Sequence, residues 1–248
     1  TIASEQVPLN VALIGSYAKK VFGDRISIRL FKYPEKLLDA LNSCKPDILA
    51  VSNYAWNYNL AEWACRQAKQ MDQNILTIKG GWNFPMDDDE RFKFLETCPD
   101  TDIYVMHEGE LVFAELLEIF QSSGREGVLS SRVAGSCYID KVQNRLVKGD
   151  RMPDIKTLDD IPSPYLNGML DEFLDGSLNP IVETTRGCPY QCNFCNMSID
   201  NYNSIRRFSF DYLEKDFTYI RDKLSNTNHS LIMIPDANFG MYKQDKKI

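Results

Sequence analysis

The spacing of hydrophobic residues changes from segment to segment along the chain, and the first segment has a helical period. A repeat of three to four residues joins Val7, Val11, Ile14, Ala18 and Val21, which is the spacing of one helix face. Residues 11–15 alone would also suit a strand that enters a glycine turn. The longer repeat favours a helix over residues 8–22 that ends at Gly23.

Strand and helix patterns then take turns up to residue 120. Alternation of hydrophobic with other residues, or a short buried run, predicts strands over 26–31, 47–52, 75–78 and 103–106. Helical patterns separate them over 34–43, 57–71, 88–97 and 110–120. Strict alternation of this kind predicts an α/β fold with a parallel, Rossmann-like sheet and helices on both faces.

Small and polar residues follow three of the predicted strands. They are Ser52-Asn53-Tyr54, Gly80-Gly81-Trp82 and His107-Glu108-Gly109-Glu110. Each is ordinary turn chemistry when taken alone, and His107 is more typical of a hydrogen-bonded turn residue than of a metal ligand. Together they predict a ligand site, because ligands of parallel sheets bind beyond the carboxyl ends of the strands.

The second half of the chain contains a hairpin, a connector and one further strand–helix–strand pattern. Residues 136–147 predict a hairpin, and the proline-stiffened segment 159–165 is a connector. A strand over 180–184 precedes a cysteine-rich loop, and a helix over 209–224 begins at Ser209 as N-cap. The next strand, over 231–234, leads to Asp236 and Asn238.

Three cysteines in the loop after residue 184 carry the strongest chemical signal. Gaps of three and then two residues separate Cys188, Cys192 and Cys195. Such a loop can give one thiolate to each of three irons of a [4Fe–4S] cluster, and the fourth iron stays open for catalysis. A zinc site would need a second cysteine pair, and a disulfide framework does not suit seven cysteines without a secretory signal. The four other cysteines are scattered and predicted to be buried.

The loop resembles the radical S-adenosylmethionine (SAM) superfamily, whose hallmark is Cys-x₃-Cys-x₂-Cys with an aromatic residue before the last cysteine. Cys188, Cys192, Phe194 and Cys195 fill these positions. The resemblance implies that SAM chelates the open iron and is cleaved to a 5′-deoxyadenosyl radical. Phe194 would lie near the adenine, although a core anchor is the alternative. The start of a TIM-type barrel is expected around the loop.

The same resemblance implies a role for two polar residues after the last strand. Asp236 and Asn238 occupy the place at which the family contacts the methionine part of SAM. An Asx-type turn that caps the next element is the alternative reading for both residues.

Nearly the whole chain resembles the subfamily that has an amino-terminal cobalamin-binding domain. The resemblance places Ser52, Gly80 and Gly81 along the nucleotide tail of cobalamin, where Ser52 would donate a hydrogen bond and the glycines would permit close approach. Glu108, Gly109 and Glu110 would complete this site. The Asp-x-His-x-x-Gly motif of many cobalamin proteins is absent, so cobalamin would bind without that histidine.

These patterns predict three parts of the chain. Residues 1–125 are expected to form the Rossmann-like cobalamin-binding domain, 126–178 the hairpin and linker, and 179–248 the first strand–helix units of an incomplete radical SAM barrel. The first strand of the domain is expected upstream of Thr1, and a radical SAM barrel has about six strand–helix units. The chain is therefore expected to be truncated at both ends and inactive on its own.

Composition and charge indicate which classes of partner and which cellular compartment the protein suits. The net charge of −7 argues against a general nucleic-acid surface, and no apolar run is long enough for a membrane span. Reduced thiols favour the cytoplasm. We expect a small-molecule substrate, methyl transfer or cyclisation as the reaction, and a reductant such as flavodoxin or ferredoxin. The alternatives are a radical SAM enzyme without cobalamin and a non-catalytic metal- or cofactor-binding module.

Overall fold

The computed structural model describes residues 5–195 and 204–248, and these form two compact units. One unit comprises Tyr17–Asp154. The other combines Glu5–Ser16 with Ile155–Ile248. Helix α1, Leu9–Phe22, contains the first break between them, and its bounds agree with the helix predicted from the hydrophobic repeat.

The first unit is a mixed α/β layer that confirms the predicted fold class. Its sheet has the strand order β1-β2-β3-β4-β5. The strands are β1 Ile48–Ser52, β2 Leu76–Gly80, β3 Ile103–Val105, β4 Ser136–Asp140 and β5 Arg145–Lys148. The helices after α1 are α2 Pro34–Ser43, α3 Tyr58–Met71, α4 Asp88–Glu96 and α5 Gly109–Leu129. Helix α5 is kinked at Gly124, which has a φ of 63°.

The core of the first unit lies between the central strands and helix α5. Leu76 and Ile78 of β2 and Ile103 of β3 are almost fully buried and pack against Val112 and Leu116 of α5. Strand β2 is buried on both faces along Leu76–Lys79, as a central strand of a parallel sheet must be.

The sheet differs from the prediction in two places. Strands β1, β2 and β3 are parallel, but the predicted hairpin extends the sheet as antiparallel β4 and β5 instead of linking two domains. Residues 26–31 form no strand. Ile26 and Ile28 are partly buried against α1 and α5, so hydrophobic burial occurs here without strand pairing. The Ile26 carbonyl accepts a hydrogen bond from the Lys19 ammonium at 2.8 Å instead of from a neighbouring strand.

In the second unit, helix α6, Phe210–Leu224, lies between two segments that pair with each other in parallel. In place of the predicted strands 180–184 and 231–234 the structure has a single parallel bridge, Ile181 with Met233. Hydrogen bonds of 2.9 Å flank it, from the Val182 N–H to the Met233 carbonyl and from the Met233 N–H to the Pro180 carbonyl. Ser209 caps α6 as predicted, because its side chain accepts from the Tyr212 N–H at 3.2 Å.

The amino-terminal residues of the second unit join the same layer. A parallel bridge pairs Gln6 with Asn179, and the Val7 N–H donates to the Asn179 carbonyl at 3.0 Å. Ser16 donates to the Pro162 carbonyl at 2.6 Å.

Within residues 5–195 and 204–248, none of the helices combines the length and apolar composition that crossing a membrane requires.

Candidate functional site

The carboxyl ends of the three parallel strands meet at one edge of the first unit. Ser52 of β1 is the direct partner of Gly80 of β2, and Gly80 is the partner of Val105 of β3. The three polar segments singled out in the sequence begin at or just after these strand ends, and the third continues into helix α5. The register therefore brings Ser52 and Gly80 side by side at the edge where parallel sheets bind ligands.

A fully buried asparagine joins two of these loops. The Asn53 amide donates to the Asn83 carbonyl and to the Tyr104 hydroxyl, both at 3.0 Å. Tyr104 in turn donates to the Gly81 carbonyl at 2.9 Å. Burial raises the pKa of Tyr104 far above its usual range, so the phenol stays a donor. Sequence reasoning offered turn chemistry or a ligand site for the segment that contains Asn53, because that segment gave no sign of a partner 51 residues away.

Gly81 is required by the protein backbone itself. Its φ is +133°, and a Cβ at this position would lie 2.4 Å from the Asn53 carbonyl oxygen. The sequence prediction assigned this glycine to close approach of a ligand, but the group that approaches closely is the neighbouring loop. Gly80 differs, because a Cβ there would lie at 3.4 Å from the Val105 oxygen, in ordinary contact.

We expect Gly81→Ala to destabilise the first unit by about 2–4 kcal/mol even without a ligand, through backbone strain and overpacking. Gly80→Ala is the matched control and should cost less than about 1 kcal/mol. Urea unfolding of the apo-proteins measures both. Equal stability of the two variants would contradict the assignment of Gly81 to loop packing.

Ser52 presents a hydroxyl at the same edge. Its oxygen accepts from the Asn57 amide at 3.2 Å, and its carbonyl accepts from the same amide at 3.0 Å. Asn57 also accepts from the Tyr54 N–H at 2.6 Å, which fixes the loop that begins α3. Because the Ser52 oxygen acts as acceptor in this network, its hydrogen can be donated to a ligand.

Aromatic rings extend the edge beyond the strand ends. Tyr54 and Trp56 are stacked with ring centres 4.7 Å apart. Trp56 is 58% exposed and Trp82 is 47% exposed. Large exposed rings in loops at a ligand edge offer flat apolar surface to a partner.

The third strand end leads into helix α5. His107 has a φ of 61°, Glu108 is the N-cap residue and Gly109 begins the helix. Glu110 is only 3% exposed, so it lies beneath the surface of the edge, whereas Glu108 is half-buried. The backbone N–H groups at this helix end give it a positive potential.

The cysteine loop lies in the second unit between two short paired strands. Strand β6, Thr185–Arg186, pairs antiparallel with β7, Arg206–Arg207. Gly187 follows β6 with a φ of 100° and turns the chain into the loop. Residues 196–203 lie outside the described part of the chain.

All three cysteines of the loop are partly exposed. The Cys195 N–H donates to the Cys192 carbonyl at 3.0 Å, which closes a tight turn between these two residues. Within the described residues no cysteine forms a disulfide, and no three His, Cys, Asp or Glu side chains are gathered into a metal-holding group. The three thiols are therefore on one loop without forming a closed site.

Phe194 is 87% exposed, so the alternative that it anchors the core is wrong. The prediction of burial holds for three of the four other cysteines, Cys65, Cys98 and Cys137, whereas Cys44 is exposed. Burial raises the pKa of the Cys65 and Cys137 thiols to about 12. These two thiols are neutral and inert, unlike reactive cysteines.

Asp236 ties the end of the second strand to the base of the cysteine loop. Its carboxylate accepts from the Thr184 N–H at 3.0 Å, from the Thr184 hydroxyl, and from the Thr185 hydroxyl at 3.0 Å. Thr184 is 1% exposed. Sequence reasoning predicted a ligand contact or a local turn for Asp236, and the observed partners lie some 50 residues away.

Asn238 has a buried side-chain amide nitrogen that finds no hydrogen-bond partner among residues 5–195 and 204–248. Its backbone carbonyl accepts from the Met241 N–H at 3.2 Å. An unpaired buried donor is costly, so this amide suits a ligand that brings an acceptor such as a carboxylate. The thiol donors of the loop and this amide both fit the groups that the sequence implies, a cluster and the amino-acid end of SAM.

No protein-family model matches the chain, but curated proteins match nearly all of it. The cobalamin-dependent radical SAM methyltransferase TokK of Streptomyces tokunonensis is 28% identical over 256 aligned positions, 98% of this chain and 35% of TokK. The 2-(S-pantetheinyl)-carbapenam-3-carboxylate methyltransferase of Streptantibioticus cattleyicolor is also 28% identical, over 98% of this chain and 35% of that protein. The chain thus spans about a third of the length of these relatives.

A solved structure with the same fold agrees with the sequence matches. The cobalamin-dependent SAM radical enzyme OxsB, with aqua-cobalamin and SAM bound, superposes with a TM-score of 0.73 over 94% of this chain and 32% of its own. The identity is 19%, so this likeness shows the fold. The match to TokK, a cobalamin-dependent radical SAM methyltransferase, confirms the resemblance seen in the sequence.

Proposed function

From its similarity to the cobalamin-dependent radical SAM methyltransferase TokK and to a second methyltransferase, we propose that this chain is the cofactor-binding part of a cobalamin-dependent radical SAM enzyme. The observation that carries the proposal is the loop with Cys188, Cys192 and Cys195, which follows strand β6 and the parallel bridge at Ile181. The parallel α/β unit that precedes it supports the cobalamin half of the proposal.

The three loop cysteines are the proposed cluster ligands. A [4Fe–4S] cluster with one open iron would supply the electron that breaks the sulfonium C–S bond of SAM. Partly exposed thiols on one loop can become thiolates that each meet a different iron. Asp236 fixes the base of this loop through Thr184 and Thr185, so we assign it a positioning role beside its predicted contact with SAM.

Asn238 and Phe194 are the residues proposed to hold SAM. The unpaired Asn238 amide would donate to the carboxylate of the methionine part. The exposed Phe194 ring would lie against the adenine, because aromatic side chains stack favourably on the flat faces of bases. Asn238 and Phe194 would hold the amino-acid and adenine ends of SAM. The position of the sulfonium group relative to the cluster would then depend on the cysteine loop.

Cobalamin is proposed to bind at the sheet edge of the first unit and to supply the methyl carrier. Ser52 would donate a hydrogen bond to it, and Gly80, Gly81 and Glu108 would line its path, while Gly109 and Glu110 would support this edge from their buried positions at the start of α5. Gly81 acts by keeping the two loops together, as its contact with Asn53 requires. The exposed ring of Trp82 offers apolar surface at the same edge.

Methyl transfer to a small organic substrate is the proposed reaction. The methyltransferase relatives match 98% of the chain, whereas an anaerobic magnesium-protoporphyrin IX monomethyl ester cyclase of Cereibacter sphaeroides matches 65% of it at 26% identity. Cyclisation is therefore the less favoured reaction. A small electron carrier such as flavodoxin or ferredoxin would supply the electron.

Anaerobic reconstitution with iron and sulfide tests the metal assignment. We expect about four irons and four sulfides per chain with a brown colour, as one [4Fe–4S] cluster requires. Zinc analysis of the same sample separates the enzyme from a zinc-binding module. A colourless protein with one zinc per chain would contradict the proposal.

Equilibrium dialysis with hydroxocobalamin tests the second cofactor. We expect saturable binding that Trp82→Ala weakens about tenfold, through lost aromatic contact. Val142→Ala is the control, because Val142 is a 95% exposed residue of the same unit in the β4–β5 turn. If the unmodified protein does not bind hydroxocobalamin, the cobalamin half of the proposal is wrong, and a radical SAM enzyme that does not use cobalamin is the favoured alternative.

A further inference from the structure

Two short strands close the base of the cysteine loop. Strands β6 and β7 have two residues each, and they pair Thr185 with Arg207 and Arg186 with Arg206. The three loop cysteines lie on the segment that joins these strands. An isolated strand pair is at best marginally stable in water, so the base of the loop depends on contacts with residues outside the pair.

Residues 236–245 supply a carboxylate to each of these two strands. On the β6 side, Asp236 accepts from the Thr185 hydroxyl at 3.0 Å. On the β7 side, Asp245 accepts from the Arg207 guanidinium at 3.1 Å. The strands that enter and leave the loop are thus tied to the same short segment by side chains, in addition to their own backbone pairing.

Asp245 is firmly built into this segment. Its side chain is 2% exposed. The oxygen that does not bind Arg207 accepts from the Gly240 N–H at 2.9 Å and from the Tyr242 N–H at 3.0 Å. A buried carboxylate with three donors keeps its charge, because hydrogen bonds to the charged form offset the loss of water. Asp245 is therefore a fixed anion beside β7.

Arg207 is held by the same segment in a second way. Its guanidinium carbon lies 4.2 Å from the centre of the Tyr242 ring, within the range of a cation–π contact. A hydrogen bond between a guanidinium and a carboxylate is also roughly twice as strong as one between neutral groups. Arg206 has a separate anchor, because it donates to the Ile155 carbonyl at 2.7 Å. Both residues of β7 are therefore fixed from outside the strand pair.

We infer that Asp245 is a positioning residue for the cysteine loop, because it holds Arg207 and thereby keeps β7 beside β6. The inference rests on the proposed function, in which this loop carries the cluster. The three thiolates have to stay on three irons of one cube, and a loop keeps them there more tightly when both of its ends are fixed. Without the Asp245 contact the ends separate more easily, and the cluster loses iron faster.

The rate at which a strong iron chelator removes iron from the cluster-loaded protein tests this role. Asp245→Asn keeps the size of the side chain and an acceptor for the two N–H groups, but it removes the charge that pairs with Arg207. Arg207→Met removes the same contact from the more exposed side. We expect each variant to lose iron about tenfold faster, as for one lost charge-assisted hydrogen bond. The double variant should be no faster than the singles, because both remove one contact.

Two controls separate positioning from general loss of stability. Asp171→Asn changes the carboxylate that accepts from Tyr219 at 2.7 Å and from Lys223 at 2.6 Å on an exposed surface of the same unit, and it should leave the rate unchanged. Ile220→Val trims a buried residue of α6, which lowers the stability of this unit without removing the Arg207 contact. It should also leave the rate of iron loss unchanged.

The outcomes separate this inference from the proposed function. An unchanged rate in either Asp245→Asn or Arg207→Met, with four irons bound at the start, would overturn the Asp245 role and leave the cluster assignment intact. Effects that multiply in the double variant, or equal acceleration in Ile220→Val, would overturn it as well. No cluster in the unmodified protein would overturn both. If Asp245→Asn does not fold, Arg207→Met decides the inference alone.

Discussion

After anaerobic reconstitution, Cys188→Ala, Cys192→Ala and Cys195→Ala are each expected to lack the iron and the brown colour of the unmodified protein. Three thiolates already leave one iron of the cube open, and two cannot hold it. The expected loss is nearly complete. Iron and sulfide analysis with visible absorbance measures it.

Cys44→Ala is the matched control for these variants. Cys44 is the exposed cysteine outside the loop, so its removal should leave four irons per chain. All four substitutions affect partly or fully exposed side chains and should change the free energy of unfolding by less than about 1 kcal/mol. Retention of the cluster by a variant that lacks all three loop cysteines would refute the ligand assignment.

Asp102→Ala is expected to destabilise the first unit by about 3–5 kcal/mol, because it leaves buried cations without their partner. The Asp102 carboxylate accepts from Lys69 at 2.5 Å and from Arg125 at 2.7 Å. It also accepts from the Thr77 N–H at 3.0 Å. The side chains of Lys69 and Asp102 are 5% and 4% exposed. The midpoint of urea unfolding measures the loss.

The control and the pH dependence make the Asp102 prediction sharper. Asp150→Ala breaks an ion pair with Arg132 whose side chains are 88% and 63% exposed, and it should cost less than about 1 kcal/mol.

Burial would raise the pKa of Asp102, but Arg125, Lys69 and the Thr77 N–H hold that pKa below its usual value. The stabilisation is thus present above the unfolded pKa of about 4 and is lost as pH falls through the lower folded pKa. A pH-independent difference between Asp102→Asn and the unmodified protein would contradict this account.

Helices were predicted well because their signals are local. The bounds of α2 and α6 agree with the helix spacing and with Pro34 and Ser209 at their starts. Helix α5 was predicted too short, since Gly124 interrupts the pattern but only kinks the helix. Residues 26–31 have the alternation of a strand, yet strand pairing needs a partner that sequence alternation does not specify.

In the candidate site, too, local features could be predicted from the sequence and contacts between distant residues could not. The spacing of Cys188, Cys192 and Cys195 is a local property, and it led directly to the family that the relatives confirm. The partners of Asn53 and Asp236 lie about 50 residues away, so neither the loop-joining role of Asn53 nor the positioning role of Asp236 follows from spacing.

By itself the sequence determined the alternating α/β order, the edge at which the three strand ends meet, and the three-cysteine loop with its resemblance to the radical SAM superfamily. These depend on local periods and on short motifs. The tertiary structure decided that the 136–147 hairpin extends the sheet, that residues 5–16 join the second unit, and that Gly81 serves its neighbouring loop. Each of these depends on which distant backbone comes close, and that choice is made only when the packed chain satisfies its buried polar groups.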